Sequence, residues 1–234
     1  MDFHPPLWTT RRDAGMELAA RLRPWDQAMD DTFLLALPRG GVPVAVAMAQ
    51  TLGWPVGTWS VRKVADPMWP ELAIGAVAAG GVMVWRDGDP QGAHQRERQA
   101  RRQGWLQDQE RELARRQALF ADPHPDQLRA RHLVVVDDGI ATGMTVRAAL
   151  LSLRRCEPAS LTLAVPVVDR EVVGELTPLV NQLVALAVVD NLQAVGLWYK
   201  EFEQLSDQRV LDLLRQVAPI PPVPESSQRL GELG

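Results

Sequence analysis

Two adjacent carboxylates, Asp137 and Asp138, stand between an apolar run, Leu133-Val134-Val135-Val136, and the small-residue stretch Gly139-Ile140-Ala141-Thr142-Gly143-Met144-Thr145. Four apolar residues bounded by turn signals read as a buried strand, and an apolar helical run opens at Val146. Small residues let backbone N–H groups close around a phosphate, and the positive end of the following helix favours the same anion. Thr142 and Thr145 add hydroxyl donors. Asp137 and Asp138 only accept hydrogen bonds when ionised, so they do not bind phosphate directly. They suit two vicinal hydroxyls, or a metal already bound to the ligand. Strand, acid pair, small loop and helix therefore fit a ribose 5-phosphate. The plainer alternative is a βα turn whose two acids are merely solvated.

A second unit repeats the order. Thr32–Leu37 reads as a buried strand, Pro38-Arg39-Gly40-Gly41 as a loop and Val42–Leu52 as a helix. Backbone N–H groups and one guanidinium suit pyrophosphate oxygens; a tight turn with an exposed Arg39 is the alternative. A third set follows. Pro55–Val64 reads as one strand carrying Arg62-Lys63 near its end, then comes a Pro-interrupted loop over 65–71. Ala73–Ala79 and Val82–Trp85 form a hairpin about Gly80-Gly81. Arg62-Lys63 also reads as a charged pair that guards an edge strand.

These loops need a frame. Thr9 or Thr10 can cap a helix over Arg11–Leu22, with Arg11 and Arg12 on its solvated face, though near enough for one to reach a phosphate. After the acid loop come a helix over Val146–Arg155, a strand at Ser160–Val165 and a helix over Arg170–Val180 opened by Asp169. A strand at Gln182–Val189 and an amphipathic helix over Asp207–Val217 complete the pattern. Repeated strand-then-helix units imply an α/β, Rossmann-like parallel sheet of about five strands flanked by helices, with ligands outside the carboxyl ends of the strands. Residues 87–130 break this rhythm as an inserted helical segment. From Pro90 to Leu119 it holds seven Arg against four acids. Such runs ordinarily form a solvated face; a cap over the site or the arm of a homodimer is the sharper reading. Residues 1–218 then form a single domain, and 219–234, rich in Pro, Ser and Glu, a disordered tail.

Composition narrows the classes. The chain is 46% apolar and 23% charged, ordinary for a globular protein. A net charge of −4 argues against general nucleic-acid binding. The single Cys156 excludes an internal disulfide, and no Cys/His spacing suggests zinc. No secretory signal and no apolar run long enough for a bilayer is visible, so a cytoplasmic protein without a membrane partner is the expectation.

The stretch Asp137–Thr145 resembles the phosphoribosyl pyrophosphate (PRPP) signature of the type I phosphoribosyltransferases. It is not a nucleotide P-loop, since no Lys follows Gly143. The run Pro70-Glu71-Leu72-Ala73-Ile74-Gly75-Ala76-Val77 also resembles an uncharacterised bacterial branch of that superfamily. The resemblance implies the type I fold, with 65–85 as flexible loop and hairpin, and a PRPP-dependent pentosyltransferase of nucleotide metabolism. Residues 137–145 would take the ribose and 5-phosphate, and Arg39, Gly40, Gly41 and Lys63 the pyrophosphate. Magnesium would arrive mainly on PRPP, with no direct protein ligand. Arg62, Lys63, Glu71 and Asp138 become the catalytic set, Glu71 as base because Ala141 stands where hypoxanthine-using relatives carry an Asp. Trp198 and Tyr199 follow the last strand, where a flat acceptor such as a nucleobase would stack; covering the core is their commoner role. Two alternatives stay open: a non-catalytic PRPP- or nucleotide-binding regulator, and a hydrolase or phosphorylase of phosphorylated sugars.

Overall fold

Runs rich in Val, Leu and Ala build the sheet that carries the site. The computed structural model describes residues 5–22, 31–65, 73–86 and 90–222. In chain order these are α1 (Arg11–Leu22), β1 (Thr32–Ala36), α2 (Gly41–Leu52), β2 (Val56–Thr58), β3 (Val61–Ala65), β4 (Ala73–Ala78) and β5 (Val82–Trp85). There follow α3 (Pro90–Arg102), α4 (Trp105–Phe120), α5 (Pro125–Leu128), β6 (His132–Val136), α6 (Met144–Arg154), β7 (Ser160–Asp169), α7 (Arg170–Leu176), β8 (Gln182–Val189) and α8 (Asp207–Leu214). Five strands form one parallel sheet in the order β2-β1-β6-β7-β8, flanked by helices, which is the expected α/β type I fold.

Alternation along the strands sorts the core into two faces. Leu34, Ala36, Val134 and Val136 pack with α1, α2 and α8 on one side. Phe33, Leu35, Leu133 and Val135 pack with α6 and α7 on the other. Because β1 leads outward to β2 while β6 leads the opposite way to β7, the order reverses between β1 and β6. Such a reversal opens a crevice at the carboxyl ends of the strands. Capping fixes where α1 begins: the Thr10 backbone N–H donates to an Asp13 carboxylate oxygen at 2.9 Å, and the Asp13 N–H returns to the Thr10 hydroxyl.

The stretch expected as one strand over Pro55–Val64 is two, in different sheets. β2 closes the edge of the parallel sheet, whereas β3 joins β4 and β5 in an antiparallel hood. The corner between them is held by Asp122, which accepts from the Thr58 hydroxyl (2.6 Å), the Ser60 N–H (2.6 Å) and the Ser60 hydroxyl (3.1 Å). One face of the hood, with Val61, Ala76 and Val84, merges with the main core. The other, with Val64, Val77 and Trp85, packs on α3 and α4 through Ala100, Leu106 and Leu113. Within the insertion, α3 and α4 therefore roof the hood.

The expected tail begins as packed chain. The Val56 N–H donates to the Ala218 carbonyl at 2.8 Å, Pro219 bridges Val56, and buried Ile220 covers Gly57. Residues 223–234 lie outside the described residues.

Candidate active site

Strand register brings the two loops together. Ala36 of β1 pairs with Val136 of β6, and the Leu37 N–H donates to the Val136 carbonyl at 2.8 Å. The next residues of each strand, Pro38 to Gly41 and Asp137 to Gly143, are thus neighbours. Their approach is so close that a Cβ on Gly40 would overlap the Asp138 carboxylate. Only glycine fits there without pushing the acid away. The acid loop is then stitched to β7: the Ile140 N–H donates to the Val167 carbonyl and the Asp169 N–H to the Ile140 carbonyl, both at 2.9 Å. Gly143, at φ +70°, turns the chain into α6. Thr142 stays exposed and Thr145 half-buried at the opening of that helix.

Asp138 is buried but not alone. The Arg11 Nε donates to its Oδ2 at 2.7 Å, with both side chains only about one-tenth exposed (10% and 13%). Arg11 also donates from Nη1 to the Glu203 carbonyl at 3.1 Å, and its guanidinium lies 3.6 Å from the centre of the Phe202 ring. Burial raises the Asp138 carboxyl above its usual range, and Arg11 opposes that shift. Asp137 is pushed up further, by burial and then by the charge of Asp138, although its Oδ1 accepts the Asp138 N–H at 2.9 Å. Both carboxyls are thus harder to ionise than an exposed aspartate, and Asp138 is the one whose shift is opposed by a hydrogen bond from Arg11.

Arg39, Gly40 and Asp138 line a single hollow of about 310 Å³, with Arg11 and the segment Phe202-Glu203-Gln204-Leu205. Arg39 lies 3.6 Å from Asp207. Arg62 and Lys63, expected to act together, point to opposite faces of β3, as successive strand residues must. Arg62 turns toward the insertion and donates to Gln109 Oε1 from Nε (3.2 Å) and Nη2 (3.0 Å). Burial lowers the pKa of Arg62, and the charges of Arg116, Arg39 and Arg115 add to the effect, so Arg62 and Arg39 share one electrostatic neighbourhood. Lys63 is exposed on the other face. Glu71 lies outside the described residues.

The aromatic pair after the last strand does not offer a stacking platform. Tyr199 is buried between Trp8 and Phe202, ring centres 5.6 and 5.2 Å away, and its hydroxyl donates to the Asp138 carbonyl at 2.6 Å. Trp198 is half-buried in the same cluster. Phe202 is the aromatic ring that reaches the hollow. The segment after the last strand, where the resemblance puts the acceptor, does reach the hollow, through Phe202 and Glu203 rather than through Trp198 and Tyr199. Arg11, expected on the solvated face of α1 or within reach of a phosphate at the site, is at the site as the cation on Asp138; two arginines opening a helix were the one hint.

Comparison with known proteins agrees with this geometry. Residues 13–176 match the family described as phosphoribosyl transferase domain. The chain belongs to that family. More particularly, it is 38% identical over 211 residues, 89% of its length, to the "Putative phosphoribosyl transferase Rv0571c" of Mycobacterium tuberculosis (strain ATCC 25618 / H37Rv). The corresponding MT0597 protein of strain CDC 1551 / Oshkosh matches equally. The chain spans about half, 46%, of the length of these curated relatives. Among solved structures it is similar to TT1426 from Thermus thermophilus, at a TM-score of 0.70 and 33% identity, covering 90% of this chain and 99% of that one.

Proposed function

We propose that the chain binds PRPP and transfers ribose 5-phosphate to a nitrogenous acceptor, a nucleobase being the class in view, with release of pyrophosphate. The observation that carries this reading is the hollow shared by the Arg39-Gly40 loop and Asp138 at the point where the strand order reverses. Residues 139–145, at the start of α6, suit the 5-phosphate, and the acid pair suits the ribose hydroxyls. As the bond from the anomeric carbon to pyrophosphate breaks, positive charge grows on the sugar beside Asp138. Negative charge grows on the leaving group beside Arg39 and the backbone of Gly40 and Gly41. Anchoring the remote 5-phosphate orients the sugar for that separation. A hydroxyl that donates to Asp138 shares the carboxylate with Arg11. Magnesium would ride on the diphosphate, where it would screen the leaving group, with Asp137 and Asp138 the carboxylates at hand. The acceptor's proton is assigned to Glu71; a pH profile of kcat/KM unchanged in Glu71→Gln would remove that role.

The resident cation on Asp138 favours one second reading, a regulator that binds PRPP without turning it over. The test is calorimetric titration with PRPP and magnesium, followed by pyrophosphate release with a panel of purines and pyrimidines. Asp137→Asn combined with Asp138→Asn should abolish PRPP binding while the circular dichroism spectrum is retained. Unchanged binding sinks the assignment. Binding without release from any base selects the regulator.

A further inference from the structure

The excess positive charge of the insertion has no part in the mechanism above, yet the fold delivers it to the site. α4 presents Gln109, Glu112 and Arg116 at spacings of three and four, so they share one face. Gln109 holds Arg62 of the hood. Glu112 accepts from Arg116 Nε at 2.9 Å and from Arg115 Nε at 2.7 Å, and these two arginines pull its carboxyl down to about 2. Arg115 then donates from Nη2 to Asp207 Oδ2 at 2.7 Å, while the other oxygen of Asp207 stands 3.6 Å from Arg39 Nη1. That second oxygen is buried and accepts no hydrogen bond. Three guanidinium groups, of Arg39, Arg115 and Arg116, are thus gathered on two carboxylates, with a fourth, of Arg62, held on Gln109 of the same helix face, and one of those carboxylates is poorly bonded.

We infer that α4 is part of the diphosphate subsite: Arg115 and Arg116 take the outer phosphate of a diphosphate beside Arg39 and Arg62, and Asp207 is the internal carboxylate that this anion displaces. Charge explains the arrangement. Two positive charges are left over among these six groups, and Arg62 already feels the other three arginines as repulsion. A diphosphate offers enough negative oxygen to relieve both, in the planar paired contacts that guanidinium groups favour. Asp207, at the first position of α8, keeps Arg39 and Arg115 facing each other until then. The inference rests on the proposed transferase reading, since that reading puts a diphosphate next to Arg39.

The probe is inorganic pyrophosphate with magnesium, titrated calorimetrically into the full chain. Arg115→Gln should weaken binding by about tenfold, the loss of one charged hydrogen-bonded contact, and should reduce the dependence of affinity on salt. Arg111→Gln, on an exposed stretch of the same helix, should bind as the unaltered chain does. Asp207→Asn should bind severalfold more tightly, because the competing carboxylate is gone; a network that serves stability alone predicts no gain. If Arg115→Gln binds pyrophosphate as well as the unaltered chain, or Asp207→Asn binds no better, the inference falls while the transferase reading stands. If the unaltered chain binds neither pyrophosphate nor PRPP, both fall.

Discussion

A carboxylate taken out of water needs a cation or a proton, and burial raises both members of the acid pair. Arg11 opposes that shift through its bond to Asp138, while Asp137 has the charge of Asp138 against it as well. Removing one member of a buried pair strands the other, so Arg11→Gln should cost roughly 3 kcal/mol of folding stability. Urea unfolding is the measurement. The deficit should be larger in mildly alkaline than in mildly acidic buffer, because a stranded carboxylate can escape by taking up a proton. Equal deficits at both would mean that Asp138 is not the partner that matters. The acids and both glycine loops were legible because their chemistry is local: residue type and spacing suffice. The role of Arg11 was not, since its burial comes from Phe202 and Glu203 at the far end of the chain.

At the level of elements, the joint between β2 and β3 governs how the hood meets the parallel sheet. Asp122 closes it without a basic partner among the bonds it makes, and burial pushes its carboxyl from near 3.8 up to about 6. The folded chain therefore binds this proton more tightly than the unfolded one. Its contribution to stability is fully present below about pH 4 and is lost as the pH rises through about 6, a difference of roughly 3 kcal/mol. Chemical unfolding across that window should show the slope, and Asp122→Asn should flatten it whatever its own stability. An unchanged slope would move the effect to another group. Most boundaries followed from hydrophobic period: α1 and β8 run over the residues expected, Arg11–Leu22 and Gln182–Val189. The break at Trp59 and Ser60 did not, because one apolar run served two sheets and the residue that divides them comes some sixty positions later, at Asp122.

Over the whole molecule, contacts that close the structure come from its ends. α1 and the segment after β8 meet over the acid loop, with the Leu7 and Trp8 N–H groups donating to the Trp198 carbonyl and the Lys200 N–H to the Trp8 carbonyl. At the opposite edge Ile220 seals β2. Ending the chain at Ala218 should cost about 2 kcal/mol, the burial of one large aliphatic side chain, and lower Tm by roughly 4–8 °C. A melting curve that does not shift would mean that this contact contributes nothing in solution. One bond in this enclosure has a practical consequence. Tyr199 is the chain's one tyrosine. Its phenol, held on the Asp138 backbone, resists ionisation through burial and then through the nearby acids. The alkaline ultraviolet titration of this protein is therefore a single-residue signal, undisturbed by the tryptophans, which do not ionise. Any substitution or substrate that loosens the segment after β8 will announce itself as phenolate appearing at lower pH.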